Sequence, residues 1–336
     1  MMILSKISTP GGNMWRTTIF SLLMGCIVAL LAGCASSSDT PKLLLWDHQL
    51  VGKIWDVKQK RFIDKATLNT RILDSEYLLV GERHDNFVHH QHQTWVIQQL
   101  AKTQLKVSVA FEMIDNYQSA RLAKQNITSS DQLIAILNRS KTSWDYEHRY
   151  KALFSEALAA GYNIDSANLN SKRLMHTVMQ GEDKLPSAYK SMLDKTPLTN
   201  ELLKALQHEI DQSHCNMLDE KTSDNMVLGQ RMRDAIMAHS LLKSRAQVKV
   251  LIAGTGHVRS DRAVPLYLRT NLESHTKVSK ILTIGLIEVE EGVTDVAAYA
   301  ELWGSNTLPF DIVWFSPQVK REDACANLKQ HFKPNS

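Results

Sequence analysis

The sequence predicts an α/β domain: a mostly parallel sheet flanked by helices, with a small all-helical subdomain inserted before the late strands. Short apolar runs alternate with segments whose apolar residues recur at helical spacing, which is typical of strands joined by crossover helices. From Ser171 to about Ala246 this alternation stops, because the segment carries helical patterns but no run typical of a strand. We therefore assign an α/β core to residues 47–170 and 247–336 and the helical subdomain to residues 171–246.

The first elements of the core follow from local patterns. An alternating, Lys-rich segment at residues 50–63 predicts a small hairpin, and residues 64–73 predict a short helix. Tyr77–Val80 is an apolar run short enough for a buried strand, and a helical pattern follows it to about Lys102. Val107–Phe111 predicts the neighbouring strand of the sheet.

The later elements are predicted in the same way. Three helices and one strand come next, at residues 115–125, 130–138, 147–160 and 162–167. Within the helical subdomain, residues 198–210 and 226–242 are amphipathic at helical spacing. The sheet then resumes with strands at residues 248–253, 281–289 and 311–315 and a helix at residues 264–272, which has Pro265 near its first turn.

The N-terminal 33 residues predict a secretory signal peptide. Met14–Cys34 has one basic residue, then a short apolar core, and then Leu-Ala-Gly-Cys. This ending resembles the bacterial lipobox, which implies that Cys34 becomes the lipid-modified first residue. An ordinary cleaved signal or an N-terminal anchor is the alternative. The Ser-rich composition near the start of residues 34–46 predicts a flexible tether. The residue after Cys34 is Ala35 and not Asp. This resembles the pattern of lipoproteins that are sorted to the outer membrane.

Composition describes an ordinary globular protein: 43% of residues are hydrophobic, 22% are charged, and the net charge is +4. This charge, without a basic stripe and interleaved aromatics, argues against nucleic acid as a partner.

The four cysteines have different expected fates. Cys26 leaves with the signal peptide and Cys34 is assigned to lipid. In an oxidising compartment the remaining pair, Cys215 and Cys325, is expected to form a disulfide.

Two distant segments share a strand followed by Gly-x-x-His. The first core strand runs into Gly81–His84, and the late strand at residues 248–253 runs into Gly254–His257. Parallel strands end at the same edge of a sheet, where side chains project into a crevice. Glu82 lies in the first turn and Glu112 ends the neighbouring strand. We therefore predict one shared site. For either histidine alone, a helix cap or a satisfied loop residue is the alternative.

The predicted site is compatible with two kinds of chemistry. As acids and bases, the catalytic residues would be Glu82, His84, Glu112 and His257, with the carboxylates tuned by the imidazoles. As a divalent metal site, the ligands would be Glu82, His84, His90 and His257, since imidazole and carboxylate suit Zn, Mn or Fe. The chain has no Gly-x-Ser-x-Gly elbow, no HExxH helix and no dinucleotide fingerprint, which argues against those classes of site.

These motifs resemble a known family. GExHDNxxHHxxQ at residues 81–93 is similar to the opening signature of the ChaN family, which are bacterial haem-binding lipoproteins. GxGHVR at residues 254–259 is similar to the second signature of that family. The resemblance spans roughly Leu44 to Cys325, and it implies an α/β domain with a small helical subdomain.

The resemblance also implies a function. It implies a lipid-anchored outer-membrane protein that acts in haem or iron uptake or storage and holds haem at the interface of a homodimer. An outer-membrane haem receptor is a candidate partner. Haem ligation in the family is by tyrosine with histidine in support, and the candidate tyrosines here are Tyr189 and Tyr150. The alternative for each is a half-buried packing residue.

The wider superfamily gives a rival hypothesis. ChaN proteins resemble the Tiki metalloproteases and the erythromycin esterases, which use Glu and His at strand ends in the same arrangement. This resemblance implies a metal-dependent or Glu/His hydrolase. A haem-binding surface and a hydrolytic site could also occur in the same chain.

Overall fold

The computed structural model describes residues 41–181, 184–272, 280–323 and 325–326. The predicted signal peptide, Cys34 and most of the tether lie outside these residues. The described residues from Leu43 onward belong to one compact unit. Within the described ranges, no helix combines the length and the apolar character needed to cross a membrane.

Ten strands occur in the described part of the chain, eight of them in one main sheet. They are β1 (Leu43–Leu44), β2 (Ile54–Asp56), β3 (Arg61–Ile63), β4 (Tyr77–Glu82), β5 (Val107–Asp115), β6 (Asn163–Asn168), β7 (Val248–Gly254), β8 (Ile281–Glu288), β9 (Ile312–Ser316) and β10 (Gln318–Val319). The short strands β1 and β10 pair with each other, apart from the main sheet.

Eleven α-helices occur in the same described residues. They are α1 (Lys65–Leu73), α2 (Phe87–Ala101), α3 (Asn116–Leu122), α4 (Ser130–Leu137), α5 (Lys151–Ala159), α6 (Ser171–Gln180), α7 (Ser187–Lys195), α8 (Asn200–Ser213), α9 (Glu220–Lys243), α10 (Val264–Leu272) and α11 (Ala298–Leu302). A π-helical turn at Tyr146–Tyr150 leads into α5, and a 3₁₀ turn at Thr255–Val258 follows β7.

The main sheet has the strand order β3-β2-β9-β8-β4-β7-β5-β6. The strands from β9 to β6 are parallel to their neighbours, and the predicted hairpin β2–β3 is an antiparallel addition at one edge. The predicted α/β fold with a mostly parallel sheet is therefore confirmed. β4 lies between β7 and β8, so its carboxyl end faces the part of the sheet where open α/β folds bind ligands. The prediction that β4 and β5 are neighbours is wrong, because β7 pairs between them.

Alternating side chains of the sheet enter two hydrophobic clusters. Leu78 and Ile252 belong to a cluster with α2 and α5, whereas Leu79 and Leu251 belong to a cluster with α9. This alternation is the period of two expected of a strand that is buried on both faces. The predicted helical segment contains α6 to α9 and no strand in its described residues. It packs directly on one face of the sheet through α9.

The observed β5 differs from the predicted strand. It continues to Asp115 instead of ending at Phe111, because its pairing with β6 shifts after Phe111 and resumes between Asp115 and Asn168. Glu112 therefore lies inside the strand, near its end. Asp115 then caps α3 by accepting hydrogen bonds from the backbone N–H groups of Tyr117 and Gln118.

The expected disulfide is present between Cys215 and Cys325, with Cα atoms 5.6 Å apart. Cys215 lies in the turn between α8 and α9. The bond closes a loop of 110 residues and ties the helical segment to the C-terminal part of the chain.

Candidate functional site

The two Gly-x-x-His turns lie side by side at the carboxyl edge of the sheet. β4 and β7 are parallel neighbours, and Glu82 is in register with Gly254. A Cβ atom on Gly81 would lie 2.3 Å from Cγ2 of Val258 and 2.8 Å from Cα of Thr255. Only glycine allows the 3₁₀ turn to approach β4 this closely. The two segments meet as the sequence pattern predicts.

Glu82, at the end of β4, is buried and accepts two hydrogen bonds on one oxygen. Nδ1 of His84 donates to Oε1 at 2.8 Å, and the hydroxyl of Tyr150 donates to the same oxygen at 2.6 Å. Oε2 lies 3.1 Å from Nε2 of His90, without the alignment of a hydrogen bond. Burial acts to raise the pKa of Glu82, but the two histidines outweigh it and hold this pKa below its usual range. The carboxylate is therefore ionised.

Glu112 connects the two turns. Its Oε2 accepts the backbone N–H of Gly254 at 2.7 Å and lies 3.7 Å from Nε2 of His84. Its Oε1 lies 3.5 Å from Nε2 of His257. Burial acts to raise the pKa of Glu112, but the charges of His257 and His84 outweigh it and lower this pKa. One buried carboxylate thus bridges two imidazoles that are distant in the sequence.

His257 has a second carboxylate partner. Its Nδ1 donates to Oδ1 of Asp234, on α9, at 2.7 Å. Burial acts to lower the pKa of His257, but Glu112 and Asp234 outweigh it and raise this pKa to about 10. Burial raises the pKa of Asp234 to about 6, against the effect of the imidazolium. Glu112 is therefore the more readily ionised of the two acids, and His257 carries a positive charge between them.

His84 reaches solvent, with a side chain that is 32% exposed, whereas the carboxylates and the other imidazoles around it are buried. Its ring packs edge-on against Trp144, with centroids 4.8 Å apart. Burial acts to lower the pKa of His84, but Glu112 and Glu82 raise it by more. A ligand that arrives from solvent would therefore meet His84 first. We call Glu82, His84, His90, Glu112 and His257 the Glu–His centre.

Two buried side chains of α2, His90 of the Glu–His centre and Gln93, have unused hydrogen-bonding capacity. His90 and Gln93 are buried and lie one turn apart on α2. In the described structure both ring nitrogens of His90 and both amide atoms of Gln93 lack a hydrogen-bond partner. Buried polar groups are normally satisfied by protein, water or a ligand. These four atoms are therefore left without the partner that buried polar atoms normally have.

The geometry does not support the predicted divalent metal site. Among the described residues, no group of three or more His, Cys, Asp or Glu is arranged to hold a metal ion. Nδ1 of His84 and Nε2 of His90 face Glu82, and Nε2 of His84 faces Glu112. The ring nitrogens of His257 face Asp234 and Glu112. Most of these nitrogens are thus directed at carboxylates, an arrangement that suits proton transfer.

Other residues of the first signature have structural roles. The backbone N–H of Arg83 donates to Nδ1 of His89 at 2.8 Å, which leaves Nε2 of His89 to donate to the hydroxyl of Ser316 at 2.7 Å. Nδ2 of Asn86 donates to Oε1 of Glu288 at 2.7 Å. These contacts fix the turn after β4 to the ends of β8 and β9, and they explain why only part of the His-rich signature faces the centre.

A family model described as "Haem-binding uptake, Tiki superfamily, ChaN" matches residues 68–268, more than half of the chain. The chain belongs to the ChaN family. No curated protein matches the sequence.

A solved structure of ChaN of Campylobacter jejuni, described as binding heme cofacially, superposes with a TM-score of 0.62 at 21% identity. The alignment covers 79% of this chain and 96% of that chain. The ChaN-like fold is therefore shared by the two proteins.

More distant structures also superpose. The type III effector HopBA1 has a TM-score of 0.41 at 13% identity, covering 74% of this chain and 91% of that chain. A mutant of the erythromycin esterase EreC in its open conformation has a TM-score of 0.40 at 9% identity, covering 77% and 95%. These two likenesses are too weak to carry an argument about this member of the ChaN family.

The two candidate tyrosines lie in different environments. Tyr150 is fully buried, and its hydroxyl is engaged by Glu82. Tyr189, on α7, is half-buried, and its ring lies edge-on to His239 with centroids 5.2 Å apart. Burial raises the pKa of Tyr189, and the nearby charge of Arg173 opposes this rise. The phenol of Tyr189 makes no hydrogen bond within the described chain, so it is the more available of the two.

Sequence reasoning missed the role of Asp234. This residue lies on the apolar face of α9, among Met232, Ala235 and Met237, and it is buried. A carboxylate on an otherwise apolar helix face is the signal that could have identified it, because buried acids are rare unless they are paired.

Proposed function

We propose that this chain is a lipid-anchored haem-binding protein that acts in bacterial haem or iron uptake or storage. The observation that carries the proposal is membership of the ChaN family over residues 68–268, a range that includes both Gly-x-x-His turns. The ChaN structure of Campylobacter jejuni, which is described as binding heme cofacially, supports haem as the ligand.

Tyr189 is the proposed axial ligand of the haem iron. Its phenol oxygen has no hydrogen-bond partner in the described residues. Burial raises the pKa of Tyr189, and the positive charge of Arg173 opposes this rise, as the charge of a ferric iron would. His239 lies against the tyrosine ring as a neutral imidazole, because burial lowers the pKa of His239. The donor set of phenol, imidazole and guanidinium fits a haem group with anionic propionates.

A second copy of the chain is the proposed partner in haem binding. Met175 and Met179 lie one turn apart on α6 and are 45% and 74% exposed. Large exposed apolar side chains at helical spacing are typical of a surface that another apolar group covers. We propose that this face of α6 contributes to a homodimer.

The proposed anchor is the lipid on Cys34, with the protein at the outer membrane. The supporting observation is the Leu-Ala-Gly-Cys sequence after a short apolar core. Several acyl chains on one cysteine hold a protein firmly at a bilayer where one chain would be marginal. An outer-membrane haem receptor is the proposed source of the haem.

Titration of the mature protein with haemin tests the ligand. We expect a saturable Soret change that ends at an equimolar ratio of haem to chain, with the visible spectrum of tyrosinate-ligated ferric haem. A change that rises without saturation, as for haemin in buffer, would contradict the proposal.

Analytical ultracentrifugation with and without haemin tests the dimer. Haem binding by a monomer would contradict the proposed homodimer.

Intact-mass analysis of membrane fractions tests the anchor. The chain from cells should begin at Cys34 and carry the mass of its acyl groups, whereas Cys34→Ser should leave an unprocessed chain. A soluble, processed wild-type protein would contradict the anchor without bearing on haem.

The second candidate function is Glu/His hydrolysis. The specific observation in its favour is the Glu–His centre: two buried carboxylates with lowered pKa values contact imidazoles with raised pKa values, and His84 reaches solvent. Such pairs can transfer protons to and from a substrate. Hydrolysis of ester or peptide libraries that is lost in Glu112→Gln, with haem binding unchanged, would establish it.

A further inference from the structure

A cavity of about 450 Å³ opens beside the Glu–His centre. It lies at the carboxyl ends of β5 and β6, and its lining includes Glu112, Asn168 and Trp144. Trp144 also packs against the ring of His84. A molecule in this cavity would therefore contact Glu112 directly and approach the solvent-exposed member of the centre.

Three basic side chains line this cavity: Lys141, Lys172 and Arg233. Within the described residues, none of these three side chains makes an ion pair or a hydrogen bond. Arg233 is half-buried, and a guanidinium that is partly removed from water usually has an anionic partner. The cavity therefore has positive charge that the protein itself does not neutralise.

A helix begins at the same cavity. The N-cap residue Asn170 and the first two residues of α6, Ser171 and Lys172, are all part of the lining. The first turn of α6 has no acidic side chain. The free N–H groups and the dipole at a helix N-terminus favour an anion, and here they add to the three cations.

The acidic side chains of the cavity are already engaged. Asp115 accepts hydrogen bonds from the backbone N–H groups of Tyr117 and Gln118 and from Nδ2 of Asn170. Glu112 faces two imidazoles and the backbone N–H of Gly254. Neither carboxylate contacts the three cations, so the positive side of the cavity stays available to a ligand.

We propose that this cavity binds a small organic oxyanion, held through a carboxylate or a phosphate group. Arg233 is the principal cation, because its guanidinium can form two parallel hydrogen bonds to either group. Lys141 and Lys172 add positive charge from the cavity rim. Trp144 offers a flat apolar wall to the rest of the molecule, and that end of the ligand faces Glu112. The site is independent of haem and goes beyond the proposed function.

Isothermal titration calorimetry of the mature protein with acetate and with inorganic phosphate tests the site, at constant ionic strength in a chloride background. We expect saturable binding of at least one probe, and the tighter probe identifies the anionic group. Arg233→Gln should weaken binding roughly tenfold or more, since a charge-assisted hydrogen bond is lost. Arg233→Lys should retain part of the affinity.

Lys58→Gln is the matched control, because Lys58 is an exposed cation on the hairpin, away from the cavity lining. The Lys58→Gln variant should bind the probe with the same affinity as the unmodified protein. Lys172→Gln, at an exposed position, gives a second variant if Arg233→Gln does not fold. Absence of saturable binding for both probes, or unchanged affinity in both cavity variants, would overturn the proposal. Haemin titration of the same variants should give unchanged Soret curves, which separates this result from the test of haem binding.

Discussion

The hydroxyl of Tyr150 donates a 2.6 Å hydrogen bond to Oε1 of Glu82. This contact links Tyr150 to the Glu–His centre, since the same oxygen also accepts from His84. Burial and the charge of Glu82 raise the pKa of the Tyr150 phenol, so the ionised form that would bind ferric iron is disfavoured there. Burial raises the pKa of Tyr189 as well, but its phenol is not engaged by a carboxylate, so the two candidate tyrosines lie in different environments.

The first prediction concerns haem ligation. Tyr189→Phe should remove the tyrosinate spectrum and weaken haem binding at least roughly tenfold, because the iron loses its charged ligand. Tyr150→Phe should leave the haem spectrum unchanged and should instead lower thermal stability, because Glu82 loses a buried hydrogen bond. Both are measured by haemin titration and by thermal unfolding of the apoprotein. The reverse pattern of spectra would exclude Tyr189 as the ligand.

The second prediction concerns alkaline pH. The pKa of His257 is about 10 in the folded protein and 6.5 as its ordinary value, so this histidine stabilises the fold fully below about pH 6.5. The stabilisation should fall as pH rises toward 10, with a slope of up to about 1.4 kcal/mol per pH unit. Urea unfolding at several pH values between neutrality and pH 10 measures it.

His257→Gln serves as the control for this slope. The variant should be less stable than the wild type near neutral pH, because Glu112 and Asp234 then lose their common cation. Its stability should also depend less on alkaline pH. Equal slopes for the two proteins would mean that His257 is not the group that loses its proton.

The third prediction uses two glycines with opposite surroundings. Gly81→Ala should destabilise the protein by about 1–3 kcal/mol, because the new methyl would overlap Val258 and the backbone of Thr255. Gly229→Ala should stabilise it by about 0.5–1 kcal/mol, since Gly229 lies inside α9 and its Cβ would meet Val178 at 3.6 Å, an ordinary contact. Urea unfolding distinguishes them, and effects of the same sign would contradict the close approach at Gly81.

The fourth prediction concerns the bond between Cys215 and Cys325. Its reduction should lower the free energy of unfolding by about 2–4 kcal/mol, because the unfolded chain regains the freedom of a long loop. Chemical unfolding with and without dithiothreitol measures this loss. The double variant Cys215→Ser/Cys325→Ser should resemble the reduced protein and should not respond to the reductant. A wild-type protein equally stable in both conditions would show that the bond contributes nothing.

Much of the fold was predictable because its strands are short apolar runs with clear ends. Tyr77–Glu82 and Val248–Gly254 are buried on both faces and end in glycine and polar residues, so their positions and the convergence of His84 and His257 followed from the pattern. The end of β5 was not predictable in this way. Its last residues include Glu112 and Asp115, and their pairing depends on a register shift relative to β6 that local sequence does not encode.

The site was predictable only in part. Local sequence shows which residue types end a strand, but not which helix packs over them. Asp234 reaches His257 because α9 crosses that face of the sheet, and Tyr150 reaches Glu82 because the π-helical turn precedes α5. The pattern also could not separate His89 from His90, which are adjacent on α2: one fixes the loop to Ser316 and the other faces Glu82.

The strand β7 lies between β4 and β5 in the sheet, yet it follows both of them, and the whole helical segment, along the chain. During synthesis β4 and β5 therefore lack the strand that lies between them until residues 248–254 have emerged. Pairings between strands that are distant in the sequence slow folding. The edge that carries Glu82 and Glu112 is therefore completed only after β7 has been made. A chain truncated before β7 would leave Glu82 and His84 on an unfinished sheet with an unpaired strand edge, which favours aggregation.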